Sequence, residues 1–585
     1  MILSSLVEYY EALAAKGEIE KNGWSKVKIS FAVSLDGDGN LVGISDLRRE
    51  QERGKKKIVA PRELPLPAAV KRASGVASNF LWDNCSYIFG ADEKGKPRRA
   101  LECFEACKAK HQELLRDSDD PAAVAMLRFF ETWKPEETKE HPLIKEYWSE
   151  LSSNANITFR VKGKFIAENP AVCRIWDDYY SNTDSEKGLC LVTGRHDPIA
   201  RLHPSIKGIA GAQSAGASLV SFNAPAYCSY DKEQGENSPV GEYAAFAYTS
   251  ALNHLIADYQ HKETLGDTTI VYWAKKASAA HQDVFSMFMK GGAEGIDDTQ
   301  LNAIINKLAV GKAVEWQDIE ILPEDEFYIL GLSPNAARLS VRFFLRSTFG
   351  KIAENLNRHY ENIKIVHAPE AKNYLSLWNL ISETVNQKSK DKKPSPQLAG
   401  SLAKAVLEGL HYPETLYSGA QLRIRAERRV NYGRASIIKA YLIENAGWSA
   451  KEGVTVSLNE DCNFAPYVLG RLFSILEGVQ NAANPGINAT IRDRYFNSAC
   501  ATPAVIFPIL IKLSQNHSRK LSYGLRVYYE KQIVDMMSKL EGTFPDRLNL
   551  KEQGSFQLGY YHQTQRRFEK KDTENAEEIE EREEV

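Results

Sequence analysis

No apolar stretch of this sequence is long enough to cross a bilayer. The longest such run, Ala504 to Leu513, is broken by Pro508 and Lys512, whereas a span takes about 20 residues. Nor is there an excess of charge of either sign. A net charge of −2 and a pI near 6.7 exclude a uniformly basic nucleic-acid binder, so only local clusters are informative. The eight cysteines are scattered; Cys103 and Cys107 share helical spacing but have no second pair or neighbouring histidine cluster. No metal site is expected, and reduced thiols in a cytoplasmic protein fit better. HExxH, GxSxG and the Walker lysine are missing as well, so no catalytic motif announces an enzyme. His196-Asp197 is an isolated pair without the further ligands of a metal hydrolase. At the N-terminus, MILSSLVEYYEALAAKG reads as an amphipathic helix, and Glu8 and Glu11 interrupt any signal-peptide core.

The most informative stretch is Gly188 to Asn223, GLCLVTGRHDPIARLHPSIKGIAGAQSAGASLVSFN. An apolar strand-like run, Leu189 to Val192, leads to a turn at Gly194 and then to a loop holding Gly208, Gly211 and Gly216. Glycines let a backbone come close to a ligand, and N–H groups in such a loop can face phosphate or base-edge acceptors. Donors surround it: Arg195, His196, Arg201, His203, Lys207, Gln213, Ser214 and Ser218. From Gly211, GAQSAGAS has both glycines of a phosphate-binding P-loop, but Ala217 stands where its lysine belongs. A glycine-rich turn between strands remains the alternative.

Along the rest of the chain, Val27 to Leu47 alternates around Asp36-Gly37-Asp38-Gly39 and predicts a β-hairpin rather than a calcium loop. Arg48 to Arg72 carries nine cations against three carboxylates, with an extended or loop-like second half set by its prolines. It suits a phosphate backbone or a solvated loop. Asn79 and Asn84 suit an adenine edge, or else a cap or turn. Helices are expected from Arg98 to Trp148, with the polar stretch Asp117 to Asp120 and Pro121 opening one, and strands around Gly163. Ser333-Pro334 reads as a helix start, placing Arg338, Arg342 and Arg346 on one helical stripe. That stripe suits a strand of nucleic acid or a structural network with acidic residues. Gln421 to Lys439 is the densest cationic segment of the second half, with Arg425, Arg428, Arg429 and Arg434. Helices over Tyr467–Gln480, Ile491–Cys500, Ala504–Gln515 and Leu521–Leu540 suggest a bundle, followed by an acidic tail.

Several long phrases in order, VKRASGVASNFLWDNCSYIFG (Val70 to Gly90), the glycine-rich stretch, VGEYAAFAYTSALNHL, FYILGLSPNAARLSVRFF, VNYGRASIIKAYLI and YVLGRLFSILE, resemble the large subunit of the type I-C CRISPR surveillance complex, Cascade. The resemblance covers nearly the whole chain. It implies a non-catalytic subunit without cofactor that recognises the protospacer-adjacent motif (PAM) in duplex DNA, promotes guide-RNA invasion and helps recruit the helicase-nuclease. Its implied partners are the guide RNA (crRNA) complex, the backbone and guide-handle subunits, a small helical subunit and target double-stranded DNA. Relatives can make the C-terminal bundle separately; no Met lies between Met289 and Met536, so such a product would need a non-AUG start.

With that resemblance, PAM contact is expected at Gly211, Gln213, Ser214, Gly216 and Lys207, with Asn79 or Asn84. Duplex phosphates are expected at Lys55, Lys56, Lys57, Lys71 and Arg72. The displaced strand or heteroduplex is expected at Arg338, Arg342, Arg346, Arg425, Arg428, Arg429 and Arg434. The expected fold is α+β: a mixed α/β domain over 1–325, a helical middle region over 326–455, a small-subunit-like bundle over 456–568 and an acidic tail over 569–585. A stand-alone nucleic-acid-binding protein and an unrecognised nucleic-acid enzyme are the alternatives.

Overall fold

The computed structural model describes residues 1–53, 56–70, 75–92, 97–153, 155–181, 187–290, 298–389 and 393–566. The acidic tail lies outside them. The fold is α+β, with strands concentrated in the N-terminal half and a helical C-terminal region. Contacts divide the chain into two compact units, Met1–Pro204 with Ser221–Ala251, and Ser205–Val220 with Leu252–Val585. This division falls inside residues 1–325, and the glycine-rich loop belongs to the second unit. No helix among the described residues is long and apolar enough to cross a membrane.

In the first unit the helix Ile2–Lys16 buries Leu6, Tyr9, Tyr10 and Leu13, and ends where Gly17 turns left-handed at φ 72°. A five-stranded sheet runs in the order Leu41–Asp46, Phe31–Leu35, Asn156–Val161, Trp82–Asn84, with Lys164–Phe165 also paired to Asn156–Val161. The expected hairpin is there, and its turn closes because Asp36 Oδ1 accepts the N–H groups of Asp38 and Asn40, both at 2.9 Å. Asp120 caps the helix Pro121–Thr132, accepting the Ala122 N–H at 2.8 Å, with Pro121 in its first turn. Phe31, Phe104, Phe129, Phe130, Phe159 and Trp176 fill the core of this unit. The second half of the basic stretch is extended, but as a ladder strand rather than a loop: Arg62–Pro67 pairs antiparallel with Trp24–Ile29. In the first half, Arg49–Arg53 pairs antiparallel with Lys56–Ala60.

The second unit is built on a four-stranded antiparallel sheet, in the order Lys262–Leu265, Thr268–Ala274, Glu326–Asn335, Arg338–Thr348. Here the expectation of a helix after Ser333-Pro334 is corrected: this stretch is a β-hairpin whose turn passes through Ala336 at φ 52°. A continuous buried apolar run, Phe327 to Leu332, outweighs the Ser-Pro cap signal once neighbouring strands are available on both sides. Trp273 stacks on Tyr328 with ring centroids 5.4 Å apart, a pairing worth about 1 kcal/mol beyond its burial. The helix instead begins at Phe349, where Thr348 Oγ1 accepts the Lys351 N–H.

Beyond it the chain is helical and closes in a bundle of Ala465–Ala483, Ile491–Ala501, Pro503–Ser518, Tyr523–Lys539 and Leu550–Gln565. The last of these is a fifth helix, beyond the four expected from the sequence. It lies so close to Ala465–Ala483 that a Cβ on Gly470 would sit 1.9 Å from the Phe556 carbonyl oxygen, and one on Gly559 would sit 2.1 Å from that of Tyr467.

Candidate functional site

The glycine-rich loop folds as a small hairpin with a buried foot and an exposed tip. Ile206 and Ala217 exchange backbone hydrogen bonds at 2.9 and 2.8 Å, and Ile206, Ile209 and Ala217 are buried. Gly208, Gly211 and Gly216 all have positive φ, 84°, 81° and 99°, the region glycine enters without steric cost. Between these anchors Lys207, Gly211, Gln213, Ser214 and Ala215 are exposed. The Gly216 N–H donates to the Gln213 carbonyl at 2.9 Å. Asn253 braces the foot, its Oδ1 accepting the Lys207 N–H at 2.8 Å and its Nδ2 donating to the Ser205 carbonyl at 3.1 Å.

This hairpin is joined to the strand that carries the first arginine cluster. The Ser218 N–H donates to the Ala337 carbonyl and the Leu339 N–H to the Ser218 carbonyl, both at 3.0 Å, making Ser218 and Arg338 a parallel bridge. Two segments 120 residues apart in sequence therefore present Gln213, Ser214 and Arg338 from one continuous backbone network.

The three arginines do not form one stripe. In the ladder Tyr328 pairs with Arg346 and Asn335 with Arg338, while Arg342 falls at the bulge between Gly331 and Leu332. Because side chains alternate along a strand, residues opposite 328 and 335 project from opposite faces. Arg342 Nη2 reaches Asp267 Oδ2 at 2.8 Å, and Arg346 Nε reaches Glu326 Oε1 at 3.1 Å. Lys275 and Arg346 together hold the Glu326 carboxyl down to about 2. The network of arginine and acidic residues weighed beside the nucleic-acid reading is thus present at Arg342 and Arg346.

The second arginine cluster is also resolved into different roles. Arg434 is buried, its Nη2 2.6 Å from Glu427 Oε2 and its Nε 3.1 Å from Glu383 Oε2. Lys439 is buried too, donating to the carbonyls of Glu361 and Asn362 at 3.0 and 2.9 Å; burial pulls its pKa down to about 8. Arg425 Nη2 donates to Gln553 Oε1 at 2.8 Å. Arg428 and Arg429 are exposed and have no ion-pair partner among the described residues.

In the first unit, Asn79 is 4% exposed, with its Oδ1 accepting the Val70 N–H at 2.9 Å. Asn84 caps the helix Cys85–Phe89, accepting the Ser86 N–H at 3.1 Å. Both use their amides on their own backbone. Lys56 and Lys57 lie in the strand Lys56–Ala60, their side chains outside the described residues, as are Lys55, Lys71 and Arg72 altogether.

The thiol, histidine and carboxylate side chains of the central stretch are locally engaged. Burial raises the Cys190 thiol pKa, but hydrogen bonds from Thr193, Gly241 and Val192 outweigh it and hold the thiol below its ordinary value. His203 Nδ1 is hydrogen-bonded to the Tyr248 hydroxyl at 2.6 Å, and burial lowers its pKa to about 4. His196 and Asp197 lie on the short strand His196–Pro198, with Thr193 Oγ1 donating to Asp197 Oδ2 at 3.4 Å.

Residues 6–568 match the family described as CRISPR-associated protein (Cas_Csd1). No curated protein matches the chain.

Proposed function

The chain belongs to the CRISPR-associated protein Csd1 family, and from that premise we propose that it is the non-catalytic large subunit of a type I-C Cascade, reading the PAM of duplex DNA through the 206–217 hairpin. The observation that carries this reading is the hairpin itself: exposed Lys207, Gln213 and Ser214 on a foot pinned by Ile206 and Ala217 and braced by Arg338's strand. In RNA-guided recognition, base pairing with the guide supplies sequence specificity, and the protein needs only to read a short duplex motif and hold the backbone. A narrow tip of small residues with a side-chain amide and a hydroxyl fits a groove edge, since Gln offers a donor and an acceptor to adenine and Ser to any base. Lys207 beside it contributes a phosphate contact without sequence preference.

In this reading the protein acts by binding, and cleavage belongs to the recruited helicase-nuclease. The separate local partners of Cys190, His203 and Asp197 support it. The guide RNA, the backbone and guide-handle subunits and the small helical subunit are its proposed partners inside the cell.

The test is duplex binding by the assembled complex. Replacing Gln213 and Ser214 with Ala should weaken binding to PAM-bearing duplex by about 10- to 100-fold, the worth of one or two lost base contacts, and leave PAM-less duplex nearly unaffected. Lys207→Gln should weaken both and reduce the salt slope by about 1. Equal losses on both duplexes for the Gln213 and Ser214 variant would overturn the assignment.

A further inference from the structure

Left-handed residues end several helices of this chain, and most of them are glycine: Gly17, Gly90, Gly409 and Gly447, at φ 72°, 71°, 69° and 67°. The helix Glu414–Glu427 is different. Its left-handed cap is Arg428, at φ 52° and ψ 37°, with the Arg428 N–H donating to the Ile424 carbonyl at 2.6 Å. A side chain in this conformation is disfavoured relative to glycine. Such outliers persist where the surroundings over-determine them, and they concentrate at functional positions.

The surroundings here are an ion network centred on one buried arginine. Arg434 reaches inward to Glu383 and Glu427, and its Nη1 donates to the Arg429 carbonyl at 3.1 Å. Asn431 caps the next helix, accepting the Arg434 N–H at 3.0 Å, and its Nδ2 donates to Glu383 at 2.9 Å. Arg423 holds the other oxygen of Glu427 at 3.1 Å. Both nearby carboxylates are thus occupied by Arg423, Asn431 and Arg434, while Arg428 and Arg429 stay exposed and unpaired among the described residues. Arg434, which charge counting groups with them, is the inward brace of the corner rather than part of its outer face.

We propose that the Arg428–Arg429 corner is a phosphodiester clamp, its two guanidiniums held outward by the left-handed turn to grip the backbone of a nucleic-acid strand. Guanidinium forks match phosphate oxygens in paired geometry, and a fixed corner spares the ordering cost of the backbone that carries them. This rests on the reading that the chain holds nucleic acid, but it is independent of the PAM-reading hairpin.

The test separates backbone strain from function by replacing Arg428 with Gly in the full-length chain. Glycine relieves the strain, so the melting temperature should be unchanged or higher. Affinity for a single-stranded oligothymidylate should nevertheless fall about 5- to 10-fold at low salt, with the salt slope smaller by about 1. Arg429→Gln should do the same to binding, and the double variant should reduce the slope by about 2. Parent-like binding and slope in both single variants would overturn the clamp while leaving nucleic-acid binding intact. A lower melting temperature for Arg428→Gly would overturn it too, by making the residue a structural cap. Failure of the parent chain to bind the oligonucleotide would overturn the clamp, while the reading it rests on fails only if the assembled complex does not bind duplex DNA.

Discussion

Ser218 and Arg338 meet as a parallel backbone bridge, the Ser218 N–H on the Ala337 carbonyl and the Leu339 N–H on the Ser218 carbonyl. The bridge turns a glycine-rich loop into a fixed projection of the four-stranded sheet. A loop free to move would lose much of its affinity in ordering; a hairpin with two backbone bridges and a buried foot has already met that cost.

Ser218→Pro removes the donor to Ala337 and restricts φ. The amides of Ile206 and Ala217, paired with each other at 2.9 and 2.8 Å, should then exchange hydrogen faster, their opening free energy lower by about 1–3 kcal/mol. Unchanged exchange at both amides would mean that the bridge does not hold the hairpin.

Two of the glycine turns in the central stretch, at Gly194 and Gly216, should respond differently to alanine. At Gly194 an added Cβ meets nothing within 4 Å, so only the left-handed backbone is penalised, by about 1 kcal/mol. At Gly216 it would lie 2.8 Å from Ser205 Cβ and 2.9 Å from the Ile206 carbonyl oxygen. Gly216→Ala should therefore destabilise its turn more than Gly194→Ala does, read as local hydrogen exchange around each site. Equal effects would contradict the close packing at Gly216.

Gly470→Ala and Gly559→Ala should each disrupt the C-terminal bundle, because the Cβ would enter a backbone carbonyl rather than a side chain that can rotate. Overpacking of this kind costs about 3 kcal/mol or more. Loss of the cooperative unfolding transition, or a drop of several degrees in its midpoint, is the expected reading; a parent-like melt would contradict it.

Acid should destabilise the fold through buried histidines. Burial lowers His111 to about 4 and His359 and His562 to about 3. His111 is held neutral, its Nδ1 2.8 Å from the Cys107 carbonyl and its Nε2 accepting the Leu81 N–H at 3.0 Å. A depressed histidine binds its proton only on unfolding, so its stabilising contribution is complete above about pH 6.5. It is lost progressively as pH falls toward 4 and then 3. Urea midpoints should fall steadily from pH 7 to pH 4.5, and His359→Phe should flatten the slope of the second unit. A flat profile in the parent would contradict it.

Local chemistry made much of this legible in the sequence. The Asp36 turn, the Asp120–Pro121 helix start and the glycine hairpin each carry their own capping or turn residues. The hairpin at 326–348 was not legible, because a spacing of four keeps Arg338, Arg342 and Arg346 on one side of either a helix or a regular strand. Only the ladder and its bulge decide between them. Likewise Leu550–Gln565 buries Gln553, Gln557, His562 and Gln563, so no apolar periodicity marks it. Several of those side chains reach neighbouring helices, as in Gln557 Nε2 donating to Gln421 Oε1 at 2.7 Å and Arg471 Nε donating to Gln563 Oε1 at 3.1 Å. The cationic run Gln421 to Lys439 was visible as charge, but nothing in charge separates inward Arg434 and Lys439 from outward Arg428 and Arg429.

Photo-crosslinking tests most directly whether the hairpin tip touches DNA. With a photoreactive amino acid at position 213 in the assembled complex, irradiation on PAM-bearing duplex should give a crosslink at the PAM base pairs. A duplex without that motif should give little. Crosslinks only to neighbouring protein, or equal crosslinking to both duplexes, would contradict PAM reading by Gln213.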